Sequence, residues 1–102
     1  MYESRIRSEQ ADLLMKAVLL LNSEEDAYRF FEDVCTIAEI RSMAQRLEVA
    51  VLLRDGVTYQ EIARRTGASS ATISRVNRAL LYGADGYKRV LDAMETGAPD
   101  AE

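Results

Sequence analysis

Apolar residues recur at three- and four-residue steps along most of this chain, the spacing that lines one face of an α-helix. Ile6, Leu13, Leu14, Val18 and Leu21 keep it over residues 3–21, and Asn22 and Ser23 end that stretch. Ser23 with Asp26 forms a weakened capping box ahead of Ala27, Phe30, Phe31 and Val34. Thr36 with Glu39 is a full box and opens a third helix, which runs to about Arg54 with Ile40, Met43, Ala44, Leu47, Ala50 and Val51. Thr58 with Glu61 repeats the device before a short helix over residues 59–66, where Gly67 stands as a left-handed terminator. Ser69 or Ser70 then caps a fifth helix to about Tyr82. Asp85 or Gly86 begins a sixth, carrying Tyr87, Val90, Leu91 and Met94 to about Thr96. No Asn-Gly or Asp-Gly pair is flanked by alternating apolar residues, so no sheet is expected. The fold class is all-α, with about six helices.

A chain of 102 residues makes one domain, here placed at 1–96 with a flexible tail at 97–102. With 48% hydrophobic and 29% charged residues it folds, yet a chain so short buries only about two-thirds of the surface it exposes when unfolded. Leu13, Leu14, Val18, Leu19, Leu20 and Leu21 occupy more than one face of the first helix, which a single small core cannot hide. Homodimerisation through the first helices is the expectation, and wrapping by the C-terminal helices of the same chain is the alternative. The lone Cys35 can form no internal disulfide and is expected to be a small buried apolar side chain. The longest apolar runs, 17–21 and 49–53, fall far short of the roughly 20 residues of a membrane helix. Without a charged-then-apolar leader, the chain reads as cytoplasmic and not membrane-bound.

Charge narrows the function. The net formal charge is −4, which argues against binding anionic polymers by bulk attraction. Histidine is absent, removing the usual proton shuttle and the commonest metal ligand. There is no phosphate loop and no acidic pair spaced with a nucleophile, so an enzyme is not expected, nor a metal or cofactor. Residues 58–81 are the exception to the acidic balance, with four arginines against one glutamate.

That stretch reads as a helix-turn-helix over residues 58–82. Two helices crossing closely need a small residue at nearest approach, a turn residue tolerant of positive φ, and an apolar plug from the second helix. Ala63, Gly67 and Ile73 fill these roles, with Ile62 and Val76 beside them. Ser69, Ser70, Ala71, Ser74, Arg75 and Arg78 share the exposed face of the second helix, the positions that would enter a DNA groove. Small side chains at its start permit close approach, while Arg75 and Arg78 suit guanine edges or phosphate. Arg64 and Arg65 read as phosphate clamps; taken singly, each also fits a solvated charged face. The expected partner is double-stranded DNA. The alternative is a helical protein–protein interaction module that uses the same motif to dock on another protein.

Phe30-Phe31, residues 36–41 (Thr-Ile-Ala-Glu-Ile-Arg), 45–49, 58–62, Gly67-Ala68, 71–78 and 82–87 together resemble the Trp repressor superfamily, nearest its Trp-repressor-related YerC/YecD group. The likeness spans residues 1–94. It implies an all-helical, intertwined homodimer that places two helix-turn-helix units in successive major grooves, and a transcriptional regulator that represses. It also implies an effector site at Thr36, Arg46 and Arg75, the positions matching a threonine and two arginines that bracket L-tryptophan in the Trp repressor, although the stretch between Arg46 and Thr58 is about one residue shorter here. Two departures tell against tryptophan: Val76 stands where the repressor has glycine, and Ala79 where it has serine. A branched side chain there fills the space of the indole. No effector is expected, with a different small molecule as the alternative.

Overall fold

The computed structural model of the chain describes residues 2–97. Six helices follow in order: α1 (Glu9–Val18), α2 (Glu24–Val34), α3 (Ile37–Arg54), α4 (Tyr59–Thr66), α5 (Ser70–Tyr82) and α6 (Gly86–Thr96). No strand occurs among the described residues, in keeping with the all-α reading. Of the tail expected at 97–102, residues 98–102 lie outside the described residues.

Local signals set the helix starts. The Ser23 hydroxyl accepts from the Asp26 N–H at 3.0 Å, and Thr36 and Glu39 close a reciprocal box at 2.8 and 3.0 Å. α1 is shorter than the 3–21 expected. Ser8, in extended backbone, caps it by accepting from the Ala11 N–H at 2.9 Å, which ends any helix upstream. At its other end, Leu20 and Leu21 bond to carbonyls three residues back instead of four, and the tightened turn closes the helix before Leu21. At α6 it is Gly86 that begins the helix. Asp85 has left-handed backbone (φ 66°), and its side chain makes no capping bond, because a capping side chain works from extended backbone.

The chain divides into two compact units, Met1–Ile40 and Arg41–Glu102. In the first, no residue of α1 or α2 is buried. The Phe30 and Phe31 rings meet edge to face with centroids 5.3 Å apart. Leu13 of α1 and Leu19 and Leu20 of the turn after it are 70, 82 and 80% exposed, so this apolar excess stays uncovered within one chain. Cys35 is half-buried, not buried as expected, because it sits at the C-cap of α2, outside the core.

The second unit holds the core. Val49, Ala50 and Leu52 of α3, Ile62 of α4, Ala68 of the turn, Ile73 and Val76 of α5 and Leu91 of α6 form one buried cluster. Each large apolar side chain fully buried contributes roughly 1.5–3 kcal/mol, which makes Val49, Ile62, Ile73 and Val76 the anchors. α4 packs on α5, and α5 on α6. Gly83 joins the last two: a Cβ there would lie 2.4 Å from the Ala79 carbonyl oxygen, so no side chain fits. An ion cluster adds to the docking of α6. Arg54 pairs with Asp92 and lies 3.6 Å from Glu95, and Lys88 reaches Asp92 at 3.2 Å.

The hydrogen bond from Arg54, then that from Lys88, holds the Asp92 carboxyl below the ordinary aspartate range. A carboxyl whose pKa is lower folded than unfolded binds fewer protons folded, so its contribution is complete at neutral pH and disappears as pH falls through the depressed value. Asp92→Asn is therefore expected to lower the urea midpoint at pH 7. That difference from wild type should shrink toward zero as the pH falls below about 4.

Candidate nucleic-acid interface

α4 begins at Thr58, whose hydroxyl accepts from the Glu61 N–H at 3.2 Å. The other half of the expected capping box is not made. The Glu61 carboxylate turns instead to Arg64, with Arg64 Nε donating to Oε1 at 3.0 Å and Nη2 to Oε2. That hydrogen bond, joined by the charge of Arg65, holds the Glu61 carboxyl below its usual range and raises Arg64.

The turn is fixed from three directions. Gly67 adopts φ 76°, and its N–H donates to the Ala63 carbonyl at 2.9 Å. The Thr66 hydroxyl donates to the Ile62 carbonyl at 2.8 Å and accepts from the Ala68 N–H at 3.1 Å. Gln45 of α3 donates its Nε2 to the Thr66 carbonyl at 3.2 Å. Ala68 is buried, and Ile73, with no exposed surface, plugs the crossing while Ala63 packs at its edge. Gln45 and Thr66 carry no charge and no apolar period, so sequence reasoning passed over them as positioning residues.

Ser69 proves to be the cap of α5. Its hydroxyl accepts from the Thr72 N–H and donates to the Thr72 hydroxyl, both at 3.1 Å. The hydroxyl is thereby engaged in holding the helix start. Beyond it, Ile73 and Val76 face inward while Ser70, Ala71, Ser74, Arg75 and Arg78 are all exposed and form one open edge. Arg65, Arg75 and Arg78 make no ion pair among the described residues, whereas Arg64 is paired.

Of the three residues of the implied effector site, Thr36 and Arg46 are engaged with near neighbours in the chain. Thr36, in the first unit, has both its hydroxyl and its N–H engaged with Glu39. In the second unit Arg46 is half-buried and donates to the Ser42 hydroxyl at 2.6 Å. Arg75 is free at the surface, and no hydrogen bond links it to Arg46. Val76 is 1% exposed, within the core. Ala79 instead lines an apolar groove of about 570 Å³ with Leu47, Ala84, Gly86, Tyr87 and Val90. Among the described residues no group of histidine, cysteine or acidic side chains could hold a metal, and no helix is long and apolar enough to cross a membrane.

The family model for the Trp repressor protein matches residues 9–95. The chain belongs to the Trp repressor family. It is 53% identical over 91 residues to the uncharacterized protein YerC of Bacillus subtilis (strain 168), covering 89% of this chain and 88% of that protein. A TrpR-like protein from Eubacterium eligens ATCC 27750 superposes with a TM-score of 0.85 at 50% identity, over 96% of this chain and 97% of the other. A candidate Trp repressor from Staphylococcus aureus gives 0.84 at 46% identity, over 89% and 91%. In this member of the Trp repressor family the helix-turn-helix is thus set in a six-helix fold shared with its solved relatives.

The turn generates a paired prediction. Gly67 has open space where a Cβ would stand, so Gly67→Ala meets only backbone strain and should cost roughly 1–2 kcal/mol. Thr66→Val removes two hydrogen bonds and strands the Ala68 N–H, for an expected loss of about 1–3 kcal/mol. Urea unfolding followed by circular dichroism measures both.

Proposed function

We propose that this chain is a sequence-specific DNA-binding transcriptional regulator that acts as a repressor. In this reading it works in the cytoplasm as a homodimer on a pseudo-palindromic site. The observation that carries the reading is the open edge of α5, where Ser70, Ala71, Ser74, Arg75 and Arg78 stay exposed while Ile73 and Val76 hold the helix from behind. Small residues at the N-terminal end let the helix enter a major groove, and its free N–H groups favour a phosphate. Arg75 and Arg78 supply the fork geometry that reads guanine or grips phosphate. Arg64 and Arg65 face the backbone from α4, and Ser69 holds the register of α5.

The homodimer is supported by what one chain leaves uncovered. Leu13, Leu19 and Leu20 of the first unit and the apolar groove of the second are surfaces a soluble monomer rarely shows. In helix-turn-helix dimers the two reading helices lie about 34–36 Å apart, one turn of DNA. No effector is invoked: Val76 occupies the core, and Thr36 and Arg46 are engaged within α3 and at its start.

Selection of bound sequences from a random DNA pool, with and without added amino acids, followed by anisotropy titration, tests the proposal. With roughly six to eight phosphates neutralised per dimer, log affinity should fall against log salt with a slope of about −5 to −7. Arg75→Ala and Arg78→Ala should each weaken binding to the selected site, by about 1–3 kcal/mol where the arginine reads a base. A salt-insensitive curve, or no duplex bound at all, returns the motif to protein docking.

A further inference from the structure

Glu61 is the single acidic residue of the basic stretch 58–81, and it lies on α4, the helix that carries Arg64 and Arg65. Its two carboxylate oxygens take the Nε and Nη2 donors of Arg64, the arrangement in which two phosphate oxygens would be held. One guanidinium edge cannot grip both. Both side chains are open to solvent, at 71% for Arg64 and 40% for Glu61, so the pair is accessible to a phosphate. Arg65, Arg75 and Arg78 have no such partner, which singles out Arg64.

From this geometry, and resting on the DNA-binding reading above, we propose that Glu61 is a built-in competitor for DNA phosphate. It occupies Arg64 in the free protein and limits how tightly the interface holds any duplex. Glu61 acts through Arg64 and is a positioning residue. The capping of α4 does not need the carboxylate, since Thr58 binds the backbone N–H of Glu61. Glutamine keeps the shape and suits the third position of a helix as glutamate does, so Glu61→Gln leaves the fold intact, which a thermal melt verifies.

The test is anisotropy of a labelled random-sequence duplex with the full chain, titrated at salt concentrations from about 50 to 200 mM. Glu61→Gln should bind several-fold more tightly at the low end, with a log–log salt slope steeper by roughly 0.9 per chain, the signature of one added phosphate contact. In the Arg64→Ala background the same change should move the slope no further. A wild-type curve with an unchanged slope in Glu61→Gln overturns the inference while leaving the DNA reading in place. Equal steepening with and without Arg64 assigns the effect to bulk charge and overturns it too. If neither wild type nor Glu61→Gln binds any duplex, the DNA reading itself falls and takes this inference with it.

Discussion

Between Thr66 and Ser70 the chain must leave one helix and enter the next, and the second unit depends on that turn. Left-handed backbone at Gly67 makes it sterically possible. The Thr66 hydroxyl, bonded to carbonyl and amide on either side, makes it a single conformation. Buried Ala68 brings the start of α5 against the core, and from there Ile73 and Val76 are directed inward. The exposed edge of α5 follows geometrically: with Ile73 and Val76 inside, the 3.6-residue period leaves Ser70, Ser74, Arg75 and Arg78 outside.

The two units differ in how far one chain can complete them. The second has a closed cluster of eight buried apolar residues drawn from all its helices. The first has none among its described residues, and its largest apolar side chains on α1 face solvent. A hydrophobic stripe too wide for its own unit implies that another surface covers it. Membership of the Trp repressor family and the uncovered leucines are thus independent supports for the same homodimer proposal.

Charge is arranged against the average. An acidic chain concentrates four arginines in 24 residues, then neutralises one of them with the only nearby glutamate. Arg54, by contrast, is spent on docking α6 to α3, clipped to Asp92 near Glu95. Surface arginines alike in sequence therefore do different things. Arg54 clips α6 to α3, Arg46 bonds Ser42 one turn back on its own helix, Arg64 is held by a neighbour, and Arg65, Arg75 and Arg78 are left open.

The sequence by itself determined what arises within a turn or two of chain. The Thr36–Glu39 box, the Ser23 cap, the Gly67 terminator and the inward Ile73 were all legible, because capping bonds and helical periodicity link residues three or four apart. Where two local partners compete, it misjudged: Glu61 could bond back to Thr58 or forward to Arg64, and spacing does not rank them. The late start of α1 after Ser8 and the half-exposure of Cys35 were missed for a related reason, since periodicity records which face is apolar but not where a cap interrupts it or what covers it. Only the tertiary structure decided the contacts between Gln45 and Thr66, 21 residues apart, and between Arg54 and Asp92, 38 apart. Such pairs depend on the path of the whole chain, and no local spacing encodes it.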